Sequence, residues 1–510
     1  MNKFLNGLKN DTNFGYTENG AIKHNSTLNK VLDMFALGGS YRNRTDREVE
    51  QLFGDAFREN PNLAMKCLFY LRDVRGGQGE RRFFRVAYKW LIKNYEGTAL
   101  ENLNLIPEFG RWDDLIDVCF GSVLAKDMLE IVRKQLYLDM DCKTPSLLGK
   151  WMPSENASNA DTKNKARWFR INLRMTPREY RKMLSSLRAK INVLELLMSQ
   201  NRWDEIKFDK IPSKAGMKYR NVFARKEVTA ARYRAFMENK NTKVNAAVLN
   251  PVDITDKVLR QSRYNGWGRN YRCSFGGSDV ERAALCKYWD NLKDYYNGRE
   301  ENAIAVVDVS GSMTGTPMAA AVGMGAYVAE KSHGPFANHF ITFSDHPQLI
   351  EFEGDDIVDK ICRTVTADWG GSTNIEAVMD LLLNTAIKNH SSQDDLPKRL
   401  YIFSDMEFNY CVTSRTISSL SRRRYGVTEN DMNTLFEAIQ KKWSNYGYKL
   451  PQVIFWNLDA RNDNIPAIGE GFNYISGFSM SQMEAIMSGK TAVDMMLEVL
   501  NSKRYAKVTA

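Results

Sequence analysis

The sequence predicts a multidomain protein with an all-α first part, a solenoid or ring of stacked helical pairs, and an α/β second part built on a doubly wound sheet. Three observations lead there. At 510 residues the chain exceeds what one compact core holds. From about Ser26 to Tyr296 apolar residues recur at helical spacing, and from Glu301 short apolar runs of strand length alternate with helical stretches. The expected layout is an N-terminal arm over 1–25, a helical domain over 26–300 and an α/β domain over 301–510.

The arm is polar, carries Gly7, Gly15 and Gly20 and shows little periodicity, so it reads as loose. In the helical part, Phe83, Phe84, Ala87, Tyr88, Leu91 and Ile92 fall on one helix face, and Leu63, Cys67, Leu68 and Leu71 do the same one helix earlier. Pro61 suits a helix start, and Gly76-Gly77 break the chain between the two. The stretch Arg72-Asp73-Val74-Arg75-Gly76-Gly77-Gln78-Gly79-Glu80-Arg81 reads either as a glycine turn between helices, with Arg72 and Asp73 paired, or as a phosphate cradle; the turn is favoured. Gly110-Arg111-Trp112-Asp113-Asp114-Leu115 is echoed by Asn201-Arg202-Trp203-Asp204-Glu205-Ile206. That spacing suits two helical pairs of the HEAT type, although Trp-Asp at a helix start is also ordinary capping chemistry. Residues Asn241 to Gly277, including Tyr264 to Arg272, read as an irregular crossing segment.

Charge is unevenly placed. The formal net charge is +10, yet Lys143 to Arg234 alone holds 22 Lys and Arg against 8 Asp and Glu. A one-sided excess of this kind favours a polyanion partner over a merely solvated face. Within it, Lys150, Lys165, Arg167, Arg170, Arg174, Arg178, Arg181 and Lys182 are interleaved with Trp168, Phe169 and Tyr180. Cations neutralise phosphates and aromatics stack bases, so this pattern suits single-stranded nucleic acid; the alternative is core aromatics beside solvated cations.

The α/β part reads as strands at 303–308, 338–343, 348–352, 399–404, 451–458 and 472–475. Helices lie near 317–332, 355–364, 374–389, 430–445, 479–487 and 490–501. The first strand, Ala303 to Val307, runs into Asp308-Val309-Ser310-Gly311-Ser312. Gly370-Gly371-Ser372-Thr373-Asn374 offers a hydroxyl at a helix mouth, and Leu400 to Ser404 ends in Asp405. Ligands bind at the carboxyl edge of open α/β sheets, and hard oxygen donors in a tight turn suit Mg²⁺. The connection Met406 to Glu429, with Arg415, Arg422, Arg423 and Arg424, is long and reads as a lid or contact loop.

The order Asp-x-Ser-x-Ser, then Thr, then Asp closely resembles the metal-ion-dependent adhesion site of von Willebrand factor A domains. The resemblance implies Ser310, Ser312 and Thr373 as hydroxyl ligands of Mg²⁺ or another divalent cation. Asp308 and Asp405 would bind directly or through water, and one position would stay open for a partner's carboxylate. An A domain after a basic helical domain resembles the Ro autoantigen, or TROVE-module, architecture. Phrases at 72–81, at Phe109 to Leu115 and at Lys150-Trp151-Met152-Pro153-Ser154-Glu155 are similar to that family and to its phage, bacterial and plant relatives. That family implies a HEAT-like ring closed by the A domain, binding structured noncoding RNA on its outer face and single-stranded 3′ ends in its hole.

Other classes fit less well. The amino end lacks an apolar leader, no run of about 18 apolar residues spans a membrane, and the seven scattered cysteines suggest reduced thiols in a cytosol. Met487-Ser488-Gly489-Lys490-Thr491 imitates a P-loop, but Glu484 stands where glycine is required and the stretch follows a helix. The expectation is a non-catalytic RNA-binding protein; a metal-dependent protein adaptor that docks a partner's Asp or Glu is the alternative, and a Mg²⁺-dependent hydrolase the third.

Overall fold

The computed structural model describes residues 12–191, 194–265, 272–344, 346–366, 373–409 and 435–510. Two compact units emerge, Met1–Asn60 with Ala246–Ser502, and Pro61–Asn245 with Lys503–Ala510. The division therefore does not follow single breaks near 25 and 300: each unit is built from separated stretches.

The first unit carries the strands. β1 (Phe14–Tyr16) and β2 (Ile22–His24) form an antiparallel hairpin, so part of the expected loose arm is ordered. β3 (Ser262–Asn265) pairs antiparallel with β4 (Arg272–Phe275) inside the segment read as irregular; Gly266 to Tyr271 lie outside the described residues. The remaining strands are β5 (Ala303–Val307), β6 (His339–Thr342), β7 (Leu349–Glu351), β8 (Arg399–Ser404), β9 (Gln452–Asn457) and β10 (Phe472–Ser476). They make a mixed six-stranded sheet in the order β10-β9-β8-β5-β6-β7, parallel except where β7 runs against β6. β5 is buried along its whole length, which is why its sequence is a continuous apolar run rather than an alternating one.

Small residues set the packing over β5. In the helix Thr316–Lys331, a Cβ at Gly325 would lie 2.3 Å from Val307 Cγ2, and one at Gly323 2.5 Å from Thr255 Oγ1. The helix is thus wedged between β5 and the helix Pro251–Gln261, and residues beyond 246 join the sheet rather than the helical part. The helix Lys30–Leu37 packs near β10, where Gly39 N donates to Ser476 Oγ at 2.9 Å. Met487 to Thr491 is a turn between the helices Met483–Met487 and Ala492–Leu500, with Gly489 at φ +70°, and not a phosphate loop.

The second unit is a succession of helices joined by short turns, from Pro61–Arg72 to Glu227–Glu238. The glycine stretch at 76–79 is the expected turn between Pro61–Arg72 and Arg81–Asn94; a Cβ at Gly77 would collide with the Tyr70 carbonyl. The charges there pair differently from the sequence reading. Arg72, buried, donates to Asp114 at 2.8 and 2.5 Å, while buried Asp73 takes Arg504 and, at 3.0 Å, the Tyr505 hydroxyl. The two Arg-Trp-Asp phrases also diverge. The first opens the helix Trp112–Cys119, with Asp114 accepting from Arg111 N; the second is one 3-10 turn, Trp203–Glu205, closed by Arg202 on Glu205. The two phrases therefore form different local structures and not a repeated helical pair.

Candidate metal centre and nucleic-acid surface

β5 and β8 are parallel neighbours, and the chain leaves β5 toward β6 on one side and reaches β8 on the other. This is the switch point of the sheet, where strand ends diverge and leave a crevice. Asp308 and Asp405 are the residues that follow these two strands. Asp308 N still donates to Phe403 O at 3.0 Å, so the ladder holds up to the first acid. Its side chain accepts from Ser404 Oγ at 2.6 Å and from Ser310 N at 2.9 Å. Ser310 Oγ lies 3.0 Å from Ser312 Oγ, and the Ser312 hydroxyl hydrogen-bonds Asp405. Four of the five sequence-predicted donors are therefore linked at one edge.

Thr373 reaches that edge by another path. Its hydroxyl lies 2.7 Å from Asn409 Oδ1 and 3.0 Å from the Glu407 carbonyl oxygen, and accepts from Asn19 Nδ2 at 3.2 Å. It is buried against the segment that continues from Asp405, and is not hydrogen-bonded to the other four. Gly370, Gly371 and Ser372 of the same loop lie outside the described residues, as do Arg415, Arg422, Arg423 and Arg424 of the long connection.

Both carboxyls are fully buried. Burial and the facing Asp405 carboxylate push Asp308 up to about 7, against the pull of hydrogen bonds from Ser404 and Ser310. Burial likewise holds Asp405 above the usual carboxylate range, opposed by the Ser312 hydroxyl and Arg461. Two desolvated acids that disfavour each other's charge are what a divalent cation relieves. Ser312 is only half-buried, so the edge is open to solvent on that side. The donor set thus fits a hard cation. Among the described residues no three His, Cys, Asp or Glu gather, so the set would be two carboxylates, hydroxyls and water.

Several residues here were not anticipated. Arg461, following β9, pairs its Nη2 with Asp405 Oδ2 at 3.2 Å and its Nη1 with Glu18 Oε2 at 3.0 Å. Glu407, buried, accepts from Glu18 N at 2.8 Å and from Asn462 Nδ2 at 2.9 Å. The turn between β1 and β2 thus sits on the candidate centre, through Glu18 and Asn19. A signal existed for Arg461, since β9 runs parallel beside β8 and must exit at the same edge. None existed for the hairpin.

The basic stretch divides in two. Lys150 faces Glu195 at 3.7 Å, Lys165 lies between Asp161 at 2.8 Å and Asp117 at 3.4 Å, and Arg170 holds Glu155 at 2.8 Å. Arg167, Arg174, Arg178, Arg181 and Lys182 are exposed and make no ion pair among the described residues. On the helix Pro177–Lys190 the buried face is Tyr180, Met183, Leu184 and Leu187, which puts Arg178, Arg181 and Lys182 together on the outer one. Phe169 and Tyr180, read as stacking aromatics, are core; Tyr180 donates to Pro153 O at 2.8 Å. Trp168 is half-buried and packs edge-on against Phe120 and Phe169. Arg174 ends the helix Ala160–Asn172 at φ +57°, with Met175 N donating to Arg170 O, a cap position that usually takes glycine.

Residues 302–508 match the family model described as a domain of unknown function (DUF7788). Residues 17–170 and 152–273 match that of another domain of unknown function (DUF2828). Uncharacterized protein L728 of Acanthamoeba polyphaga mimivirus is 31% identical over 535 residues, covering 96% of this chain and 87% of its own length. No helix among the described residues is long and apolar enough to cross a membrane. With the DUF2828 model matched over about half of the sequence, and with a relative aligned almost end to end, the chain belongs to the DUF2828 family.

Proposed function

We propose that this chain is a non-catalytic RNA-binding protein of the cytoplasm, similar in plan to the Ro autoantigen, with a HEAT-like helical unit and a von Willebrand factor A-like unit. The observation that carries the RNA reading is the set of exposed cations without an ion pair among the described residues, Arg167, Arg174, Arg178, Arg181 and Lys182. The acids of that segment are already engaged: Glu155 with Arg170, Asp161 with Lys165, and Glu179 in the capping box of its helix. What remains facing water is positive, which is the electrostatic footprint of a polyanion site. Structured small RNA or single-stranded RNA ends are the ligands that the resemblance implies.

In the same proposal Asp308, Asp405, Ser310 and Ser312 hold Mg²⁺ or another divalent cation, with Thr373 joining through the 405–409 segment. When bound, the ion supplies positive charge at the sheet edge and a position for a carboxylate from a protein partner. The residues here do the rest: Ser404 and Ser310 orient Asp308, and Ser312 and Arg461 orient Asp405. A second reading, a metal-dependent protein adaptor without RNA, is favoured by this buried pair of acids. Crosslinking and sequencing of RNA bound to the full chain separates the two. A discrete RNA set, lost on reversing the five exposed cations, supports the first. Background RNA in both forms, with a protein partner captured in Mg²⁺ and lost in Asp308→Ala, overturns it in favour of the second.

A further inference from the structure

The phrases at 109–115 and 150–155 are not explained by the metal edge. In the structure they converge on one cavity of about 360 Å³ in the helical unit, lined by Asp113, Lys150, Trp151, Ser154, Thr162 and Lys165 among others. Its wall is fixed from behind. Arg188 donates to Gly149 O, Met152 O and Ser154 Oγ, each at 2.9 Å, and Tyr180 holds Pro153 O. The Arg111 guanidinium lies 4.7 Å over the Trp151 ring and steadies its orientation.

We propose that this cavity binds a single nucleotide, its base against Trp151 and Asp113 and its phosphate toward Lys150. Three features select that class. The volume falls at the lower end of the usual range for small-ligand pockets, roughly 300–1,000 Å³, and so suits one nucleotide and not several. Of the four cations in the lining, Arg85 is held by Asp113 and Asp114, Lys165 by Asp161 and Asp117, and Arg188 by the wall behind, which leaves Lys150 as the one placed to meet an anion. Among the described residues Lys150 has a single ion pair, with Glu195 at 3.7 Å, and its Nζ lies 5.8 Å from the Trp151 ring centre, so it can turn to a phosphate beside that ring at small cost. An acceptor is also left over for the base, and an in-plane donor beside the stacking face for the sugar or phosphate. Asp113 Oδ2 takes Arg85 at 2.8 Å, but its Oδ1 is buried without a hydrogen-bond partner among the described residues. A buried carboxylate oxygen without a donor is costly, and an exocyclic amine or ring N–H supplies one. The Trp151 indole N–H finds no acceptor among the described residues. The ligand is either a free mononucleotide or one nucleotide of an RNA strand; the strand source alone rests on the RNA reading above.

The test is calorimetric titration of the full chain with AMP, GMP, CMP and UMP, with ribose 5-phosphate and inorganic phosphate as controls. A labelled eight-nucleotide RNA is titrated beside them. The expected result is binding of at least one mononucleotide, weakened roughly tenfold or more in Trp151→Leu, in line with the loss of a base–aromatic stack. The isosteric Asp113→Asn should reorder the four bases while leaving the fold intact by circular dichroism. Ribose 5-phosphate binding as well as the best mononucleotide, or no mononucleotide binding, overturns the proposal. So does affinity within twofold of wild type in both variants. Competition between RNA and mononucleotide assigns the pocket to a strand, and its absence to a free nucleotide. Mononucleotide binding without RNA binding keeps the pocket and sinks the RNA reading; the converse sinks the pocket alone.

Discussion

Replacing Arg178, Arg181 and Lys182 with alanine isolates the electrostatic part of the RNA reading. The five exposed cations that make no ion pair among the described residues bound the number of phosphates this surface can neutralise. At about 0.7 released counterions per phosphate on a single strand, five contacts give a log–log salt slope of about −3.5, and the two left in the triple variant about −1.4. Between about 50 and 200 mM salt the wild type should then lose affinity roughly a hundredfold, and the variant less than about tenfold. Fluorescence anisotropy of a labelled single-stranded RNA over that salt range reads both slopes. The control is Arg170→Ala, because that guanidinium is already held by Glu155 and Met175 O; its slope should stay near wild type. The reasoning is refuted by an unchanged slope in the triple variant, or by Arg170→Ala matching it. Either result would place RNA binding elsewhere or remove it.

Other expectations follow from the same geometry. Asp114→Asn leaves Arg72 buried with no counter-charge and weakens the bond from Arg85; breaking such a pair costs about 3–5 kcal/mol, read as a lower denaturation midpoint of the helical unit. Partial recovery in the double variant Arg72→Met with Asp114→Leu would support the charge argument, and a loss under 1 kcal/mol in Asp114→Asn would refute it. Mg²⁺ at about a hundred times its Kd should stabilise the chain by about 2.7 kcal/mol, an effect absent in Asp308→Asn; an equal rise in both forms would place the ion elsewhere. Arg461→Ala frees Asp405 of its resident cation, so Mg²⁺ affinity measured calorimetrically should rise several-fold. A fall would mean that Arg461 serves chiefly to orient the acid.

The α/β half was nearly all legible, because its signal is local: apolar runs of strand length, each followed by helical spacing, and acids at two strand ends. The six strands lie within a residue of their expected bounds. Four of the five oxygen donors meet because β5 and β8 are neighbours, which an Asp after each strand already suggested. The failures share a different cause, contact between stretches distant in sequence. Asp73 was paired with adjacent Arg72, yet successive helical residues point about 100° apart and do not face each other. The true partners are Asp114 and Arg504, 42 and 431 positions away. The hairpin at 14–24 looked like a loose arm because its partners, Glu407 and Asn409, lie in the last third of the chain.

That contrast bears on how the candidate centre is held. Asp308 and Asp405 are set by the sheet itself, since each follows a strand whose backbone ladder fixes it. Thr373, Glu407 and Arg461 are set instead by Glu18, Asn19 and Asn462, side chains and turns that a sequence pattern does not reveal. The rigid half of the site supplies the charge that a cation needs, and the hairpin-dependent half supplies a guanidinium that competes for it. Arg461 can give up Asp405 without losing all compensation, because Glu18 remains as its second partner at 3.0 Å. On the proposed reading, an ion that took Asp405 would leave Arg461 with Glu18 as its partner, at the turn that joins β1 and β2.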